Sequence, residues 1–351
     1  MKEEAIDLLR LLIKTPSFSG EEDQTATLIQ DFLQKKGYQV KRKGNNIWVS
    51  NKNFLAERPT ILLNSHHDTV KPNAGYTRDP FTPAEEAGKL YGLGSNDAGA
   101  SLVALMATFL HFGDKDLTYN LLFAATAEEE ISGKQGISSI LDELGPLDFA
   151  IVGEPTQMQM AVAEKGLMVL DCLATGTAGH AAREEGENAI YKAMEAIDWF
   201  RSYRFQKQSA TLGPVKMTVT QINAGTQHNV IPDECRFVVD VRSTDAYQNN
   251  EILSIIQEAV QVEVRARSTR LNPSSIAIDH PIVASGKALG LSTFGSPTLS
   301  DQALLTCSSL KIGPGDSARS HTANEFIFLS EISEGIDTYI DLLSPLLTPD
   351  T

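Results

Sequence analysis

Apolar and polar residues alternate in two different ways along this chain of 351 residues. Up to Pro155, segments with helical periodicity alternate with short apolar strands, which predicts an α/β sheet with crossover connections. The predicted helices cover 3–14, 19–36, 98–112 and 136–144, and the predicted strands cover 39–43, 47–50, 60–65, 119–125 and 149–152. The strand at 119–125 is apolar at almost every position, so we expect it near the centre of a sheet that helices cover on both faces.

Local signals define some boundaries in this first region. Ser19 and Glu22 have the spacing of a capping box, which predicts that the second helix begins there. Residues 68–94 are rich in Gly, Pro and Asp and predict a long loop. Asp97 directly precedes the next predicted helix, where its carboxylate would accept hydrogen bonds at the helix N-terminus.

A different pattern begins after Pro155. Predicted strands at 160–175, 216–223, 235–242 and 262–267 are interleaved with predicted helices at 188–204 and 249–262. This β-α-β-β-α-β order is typical of a ferredoxin-like unit, which is complete in roughly 110 residues. After Pro273 the α/β pattern returns and ends in an amphipathic helix. The sequence therefore predicts a mixed α/β domain made of residues 1–163 and 274–351, interrupted by an inserted α+β domain at 164–273.

Composition narrows the classes of function. The chain has 30 Lys and Arg against 45 Asp and Glu, a formal net charge of −15, and this acidity argues against binding to nucleic acid. No apolar run approaches the roughly 18 residues of a membrane-spanning helix, and the acidic start at Met1 does not resemble a signal peptide. The widely spaced Cys172, Cys235 and Cys307 form no CxxC pair and favour a reducing cytoplasm.

Polar side chains follow the predicted central strands at the point where each strand ends. They are His66, His67 and Asp68 after 60–65, Glu128, Glu129 and Glu130 after 119–125, and Glu154 after 149–152. Asp97 comes from a glycine-rich loop, and His321, Asn324 and Glu325 follow a Gly-Pro-Gly turn near the C-terminus. Because open α/β sheets place their sites at the C-terminal ends of the strands, we expect these residues to gather at one edge.

The ordered set of histidines and carboxylates predicts a metal site. Imidazole nitrogen and carboxylate oxygen together suit Zn²⁺, Mn²⁺ or Co²⁺, and no thiolate belongs to the set. Two such ions about 3.5 Å apart need a bridging carboxylate and further ligands on each side. Asp68 could accept the proton of the His66 nitrogen that faces away from the metal. Taken singly these residues are more often structural, so the prediction rests on the whole set.

The order of the motifs resembles that of a known family. H-x-D after a strand, Asp after G-x-G-S-x, paired Glu after a strand, G-E-P-T and a late H-x-x-N-E are all present. Together they are similar to the acetylornithine deacetylase and succinyl-diaminopimelate desuccinylase family of co-catalytic zinc aminoacylases and carboxypeptidases. The resemblance covers nearly the whole chain. It implies a cytoplasmic enzyme with a di-zinc catalytic domain and a smaller inserted domain that forms a homodimer.

The resemblance also implies the metal ligands. His66 and Glu154 would bind one ion, Glu130 and His321 would bind the other, and Asp97 would bridge them. Zinc is the expected metal, with cobalt as an alternative. The family usually has Asp-Glu-Glu where this chain has three glutamates in a row, and the spacing to a later glycine identifies Glu130 as the ligand.

Further roles follow from the same resemblance. Glu129 would be the general base, and Asp68 would orient the first histidine ligand. In the inserted domain, His180 would reach the site of the neighbouring subunit. Asn229 and Arg242 match positions that hold the carboxylate of the substrate.

The activity implied is hydrolysis of an N-acyl amino acid, with deacetylation of N-acetylornithine in arginine biosynthesis as the first expectation. A succinyl group is the nearest alternative, and its carboxylate would need a further cation, for which Arg183 and Arg319 are candidates. A dipeptidase or aminoacylase of the same family is the third. A non-enzymatic binding protein is disfavoured, because it has no use for the general base Glu129.

Overall fold

The computed structural model describes residues 1–348, which fold into two compact units. The first unit comprises Met1–Val162, Ser275–Phe294 and the chain from Ser300 onwards, and the second comprises Ala163–Ser274 and Gly295–Leu299. The range 164–273, predicted for the inserted domain, lies within the second unit. Each unit has its own hydrophobic core.

The helices and strands are numbered in chain order. The helices are α1 (Lys2–Lys14), α2 (Asp23–Lys35), α3 (Ala100–Phe112), α4 (Leu141–Leu144), α5 (Ala189–Ser202), α6 (Asn249–Ala259), α7 (Pro281–Ala288) and α8 (Leu329–Leu347). The strands are β1 (Lys41–Lys43), β2 (Asn46–Ser50), β3 (Thr60–His66), β4 (Ala84–Glu86), β5 (Lys89–Tyr91), β6 (Asn120–Thr126), β7 (Phe149–Val152), β8 (Met160–Glu164), β9 (Gly166–Thr175), β10 (Gly179–His180), β11 (Lys216–Ala224), β12 (Val230–Ile231), β13 (Glu234–Ser243), β14 (Glu263–Ala266), β15 (Ser274–Ser275), β16 (Thr293–Ser296), β17 (Ser308–Lys311) and β18 (Phe326–Phe328). Within residues 1–348, no helix combines the length and apolar character needed to cross a membrane.

A mixed sheet forms the centre of the first unit. Its strands include, side by side, β1, β2, β6, β3, β7, β17 and β8. The inner strands β6, β3, β7 and β17 run parallel, whereas β2 pairs antiparallel with β6. Along β3, Ile61 and Leu63 enter the core that α1, α2, α3 and α8 share, while Leu62 enters a smaller core with Ile137 and Leu144. Both faces of the sheet are therefore buried, as the apolar strands predict, and the mixed α/β class is confirmed.

Two predictions for this unit are wrong in detail. The segment 68–94 is not a continuous loop, because β4 and β5 form a hairpin in it and β18 adds a third strand. The hairpin turns through Ala87 and Gly88, which both have positive φ, and three-residue strands leave little periodicity in the sequence. The predicted helix at 136–144 is a 3₁₀ turn followed by the single helical turn α4.

The second unit is a four-stranded antiparallel sheet with the spatial order β11-β13-β9-β14. In chain order these strands and their helices run β9-α5-β11-β13-α6-β14, which gives the first and third strands the central positions. Met168, Leu170 and Cys172 of β9 alternate with more exposed residues and pack in a core with α5 and α6. This is the ferredoxin-like arrangement that the sequence predicts. A dimerisation role for this unit stays a prediction.

Candidate metal centre

Neighbouring parallel strands deliver imidazole and carboxylate side chains to one edge of the central sheet. His66 is the last residue of β3 and lies in register with the last residue of β6. Glu129 and Glu130 follow β6 in a short 3₁₀ turn, and Glu154 lies two residues beyond β7. The C-terminal ends of the strands therefore meet here, which is where an α/β sheet is expected to hold a site.

The buried imidazole of His66 lies at the centre of this group. Its Nε2 atom is 3.3 Å from Asp97 Oδ1, 3.8 Å from Glu154 Oε1 and 4.0 Å from Glu129 Oε2. Potential ligand atoms of His66, Glu129 and Glu154 lie within 4.8 Å of one another, as do those of His66, Asp97 and Glu130. Such spacing allows a nitrogen and several oxygens to surround one cation.

Asp97 lies between two imidazoles. Its Oδ1 faces His66, and its Oδ2 is 3.6 Å from Nε2 of His321. The same nitrogen of His321 is 2.9 Å from Glu130 Oε2. The two oxygens of one carboxylate thus face two different imidazoles, that of His66 and that of His321. A carboxylate that bridges two ions needs this arrangement.

Asp68 supports the site through its backbone and its side chain. The Nδ1 atom of His66 is 3.0 Å from the carbonyl oxygen of Asp68 and 3.4 Å from its Oδ1, so the nearer partner is the backbone oxygen and not the predicted carboxylate. The carboxylate accepts hydrogen bonds from the backbone N–H groups of Glu129 and Glu130, at 3.1 and 3.2 Å. Asp68 therefore fixes the turn that carries both glutamates.

The predicted capping box at Ser19 is wrong for a related reason. The hydroxyl of Ser19 donates to Asp68 Oδ2 at 2.7 Å instead of capping a helix. Helix α2 begins at Asp23, and the side chain of Glu22 accepts from the N–H of Gly20. Ser19 and Glu22 have the spacing of a capping box, but the Ser19 side chain instead binds Asp68 of the candidate site.

The N-cap role predicted for Asp97 is also wrong. Asp97 lies in a kinked turn, Ser95–Gly99, and has extended backbone dihedrals of φ −118° and ψ 99°. Helix α3 begins after Gly99, which occupies the cap position. The carboxylate of Asp97 is directed at the two imidazoles and not at the end of the helix.

Burial and charge act against each other at the histidines of the site. Burial lowers the pKa of His66, but its contacts with Asp68 and Asp97 outweigh burial and raise that pKa well above its ordinary value. Burial raises the pKa of Asp97, but the hydrogen bond and charge of His66 leave it lowered. The hydrogen bond to Glu130 raises the pKa of His321 to about 9.

Two glutamates show the opposite shift. Burial raises the pKa of Glu129 well above its ordinary value. The charge of His66 opposes this rise, and the charge of Glu154 adds to it. Burial also raises the pKa of Glu154 to about 8. Carboxylates crowded into a buried volume repel one another, and divalent cations among them would relieve that repulsion. The residues present therefore fit a pair of ions that accept nitrogen and oxygen ligands.

Two buried carboxyl groups near the site have no role that the sequence predicts. Asp301 Oδ2 accepts hydrogen bonds from Thr126 Oγ1 at 2.6 Å and Asn64 Nδ2 at 2.9 Å, and burial raises the pKa of Asp301 to about 6. Glu325 accepts hydrogen bonds from the turn that carries Asp97, and burial raises its pKa to about 8. The H-x-x-N-E motif was a signal for Glu325, whereas Asp301 lies in no recognised motif.

In the second unit, His180 and Asn229 lie side by side. Strands β10 and β12 pair antiparallel with His180 opposite Val230, and the N–H of Ala181 donates to the carbonyl of Asn229 at 3.0 Å. Both side chains are exposed, and Nδ1 of His180 accepts from the N–H of Ala182 at 3.1 Å. The structure therefore brings these two predicted residues together.

Arg242 lies at the other end of β13. It is eight positions beyond Glu234, at the start of that strand, which corresponds to about 26 Å at ~3.3 Å per residue. Its guanidinium donates from Nε and Nη2 to the carboxylate of Asp240, at 2.9 and 3.2 Å. Within one chain, the structure does not bring Arg242 together with His180 and Asn229.

Comparison with known proteins places the chain in a family. The sequence profile of peptidase family M20/M25/M40 matches residues 62–344. Acetylornithine deacetylase of Proteus mirabilis is 28% identical over 358 residues, which cover 93% of this chain and 92% of the relative. Acetylornithine deacetylase of Yersinia pestis is 29% identical over 377 residues, which cover 96% of each chain.

Solved structures show the same fold at lower identity. Aminopeptidase PepT from Bacillus cereus superposes with a TM-score of 0.79 at 17% identity and 99% coverage of both chains. The YXEP protein of Bacillus subtilis, a dinuclear metal binding peptidase from the M20 family, gives 0.74 at 15% identity and 97% coverage of both. The chain belongs to peptidase family M20/M25/M40 and is a hydrolase that acts on amide or peptide bonds.

Proposed function

We propose that this chain is a dinuclear metal hydrolase that removes the acyl group from an N-acyl amino acid, with N-acetylornithine of arginine biosynthesis as the first candidate substrate. The observation that carries the proposal is the carboxylate of Asp97, whose two oxygens face His66 and His321 among three glutamates whose side chains are 7–13% exposed. The names of relatives at 28% and 29% identity support the substrate class.

The five clustered residues are assigned as metal ligands. His66 and Glu154 would hold one ion, Glu130 and His321 would hold the other, and Asp97 would contact both. Zn²⁺ is the favoured metal and Co²⁺ the alternative, because both accept imidazole and carboxylate ligands. Bound ions of this kind acidify water and polarise a substrate carbonyl.

Glu129 is assigned the proton transfers. It lies in the turn that Asp68 fixes, beside Glu130, and 4.0 Å from His66 Nε2. Its carboxylate takes a proton from the attacking water as the water oxygen bonds to the acyl carbon. When the C–N bond breaks, the same carboxyl group returns that proton to the leaving amine. The products are a carboxylic acid and an amino acid with a free amine.

The substrate contacts assigned to the second unit involve a homodimer. Arg242 lies about 26 Å along β13 from Glu234, at ~3.3 Å per residue, and Asn229 precedes Glu234 in the chain. If both hold one substrate carboxylate, they come from different subunits of a homodimer. His180, which lies beside Asn229, would then also reach the site of the partner subunit. There its imidazole would donate a hydrogen bond to the developing oxyanion. Asp240 would fix the orientation of the Arg242 guanidinium for its contact with the carboxylate.

Metal content gives the first prediction. We expect about two zinc-sized ions per chain by elemental analysis, and fewer after Asp97→Asn, because the amide removes the charge that both ions share. Asp114→Asn is the matched control, since Asp114 is an exposed carboxylate that contacts Tyr38 and Lys52. A parent chain without bound divalent metal and without activation by Zn²⁺ or Co²⁺ would contradict the assignment.

A succinyl group is the second candidate, and the two arginines predicted to bind its carboxylate have different surroundings. The guanidinium of Arg319 is held by Glu331 through two hydrogen bonds of 2.7 and 3.0 Å. It also lies 4.8 and 5.2 Å from the ring centroids of Phe326 and Phe328. Arg319 therefore has a structural role in anchoring the start of α8.

The side chain of Arg183 has weaker contacts than that of Arg319. Its side chain is 71% exposed, and the nearest carboxylate atom in its ion pair with Glu185 is 3.8 Å away. Its backbone N–H donates to the carbonyl of His180 at 2.9 Å, so the two residues share one turn. If His180 reaches an acyl carbonyl, Arg183 is the cation that would accompany it towards a succinyl tail.

The acyl group is tested by comparing kcat/KM for N-acetyl and N-succinyl forms of several amino acids. A preference for acetyl predicts that Arg183→Met leaves the ranking unchanged. A preference for succinyl predicts that Arg183→Met lowers kcat/KM for succinyl substrates by about tenfold or more, as expected for loss of a charged contact. The value of kcat/KM for acetyl substrates should not change. Arg236→Met, another exposed arginine of the same unit, is the control. Hydrolysis of dipeptides alone would contradict both candidates.

A further inference from the structure

We propose that Glu325 is a positioning residue that holds Asp97 between the two metal positions, an inference that rests on the metal site proposed above. Glu325 is 2% exposed. Its Oε1 accepts hydrogen bonds from the backbone N–H groups of Asn96 and Asp97, at 2.8 and 3.0 Å. Its Oε2 accepts from the N–H of Gly94 at 3.2 Å. One carboxylate thus accepts hydrogen bonds from three backbone N–H groups of residues 94–97.

The backbone of the same residue adds a fourth contact. The carbonyl of Glu325 accepts from the N–H of Gly92 at 3.0 Å. Gly92 and Gly94 have φ of 154° and 74°, which are conformations that glycine adopts without strain. The turn is therefore shaped so that its N–H groups converge on Glu325. The backbone of Asp97 cannot move away from this position without breaking its own hydrogen bond to Glu325.

The geometry requires a carboxylate at position 325. Both oxygens of Glu325 accept, and a carboxylate offers about four acceptor sites for the three side-chain hydrogen bonds. A glutamine would offer one accepting oxygen and an NH₂ group, and that NH₂ group would face a backbone N–H. A buried N–H without an acceptor is costly, so the turn would have to move.

The segment 321–325 links Glu325 to a second proposed ligand. His321 lies four residues before Glu325, and both His321 and Asn324 have positive φ. The side-chain oxygen of Asn324 accepts from the N–H groups of Thr77 and Arg78, each at 3.0 Å, which anchors the segment. One short segment therefore carries a ligand and also holds the turn of Asp97. It sets the 3.6 Å between His321 Nε2 and Asp97 Oδ2.

Co²⁺ binding to the metal-free chain tests this role. We expect Glu325→Gln to weaken Co²⁺ binding by about 10–100-fold, the usual effect of losing a group that orients a ligand, and to change the visible absorption of bound Co²⁺. Glu325→Asp keeps the charge but shortens the side chain, so we expect a loss in the same direction. It serves as the second variant if the glutamine protein does not fold.

A matched control separates positioning from general stability. Glu331→Gln makes the same change at a carboxylate that accepts a backbone N–H, that of Phe328 at 2.9 Å. It should lower the melting temperature of the metal-free chain and leave the Co²⁺ affinity and spectrum as in the parent. Parent-like Co²⁺ affinity and spectrum in both Glu325 variants would overturn the proposal while leaving the metal site intact. No Co²⁺ binding by the parent chain would overturn the metal site and this role together.

Discussion

Replacing Glu129 with Gln should lower kcat by at least about 10²-fold while the metal content stays that of the parent chain. The amide keeps the shape of the side chain but cannot accept a proton from water, and general base catalysis contributes about 10²–10⁴-fold. The measurement pairs steady-state hydrolysis of an N-acyl amino acid with elemental analysis of the same preparation.

Glu128→Gln is the matched control for this prediction. The carboxylate of Glu128 accepts a hydrogen bond from the N–H of Gln135 at 2.9 Å and is not among the groups within ligand distance of His66. We expect the activity of the Glu128→Gln chain to stay within a few-fold of that of the parent chain. Loss of activity in Glu128→Gln, with Glu129→Gln near normal, would show that the base has been assigned to the wrong glutamate.

Replacing His180 with Ala should lower kcat by about 10²–10³-fold with little change in KM. The imidazole is assigned to the oxyanion, which develops fully only in the transition state, and loss of one such donor has effects of this size. In the structure the ring is exposed and held by one backbone N–H, so its removal leaves no cavity in the core. Unchanged thermal unfolding of the variant would show that the loss of activity is not a loss of structure.

Mixed dimers test whether His180 acts across subunits. The His180→Ala chain and the Glu129→Gln chain are each expected to be nearly inactive alone. If His180 serves the site of the partner, a mixed dimer contains one site with both residues intact, and part of the activity returns. No recovery after verified subunit exchange would restrict His180 to its own chain or to no catalytic role.

The sequence was most informative where local pattern and tertiary structure agree. Four consecutive apolar residues predict a strand at 149–152, and the structure has Phe149–Val152, because a strand buried on both faces is apolar throughout. The strand order of the second unit also follows from its element order. The hairpin of β4 and β5 was missed because its strands are three residues long and its turn contains Ala87 in the left-handed region.

For the candidate site, the gathering of His66, Glu130 and Glu154 could be predicted because each lies at or just beyond the C-terminal end of a parallel strand of one sheet. The surroundings of Asp97 could not be predicted in the same way. Its turn is held by Glu325, more than 220 residues later in the chain, through backbone N–H groups that carry no sequence signal. Asp301 was missed for the same reason, since its partners are strand-end side chains far away in sequence.

Metal titration during turnover tests the dinuclear hydrolase proposed here. The metal-free chain would be titrated with Zn²⁺, and in parallel with Co²⁺, while the release of acetate from N-acetylornithine and of succinate from N-succinylornithine is followed. A dinuclear hydrolase should show negligible hydrolysis without metal and a rise that levels off near two ions per chain, with one of the two substrates cleaved. Hydrolysis that is undiminished in a chelator, or no hydrolysis of either substrate with two ions bound, would contradict it.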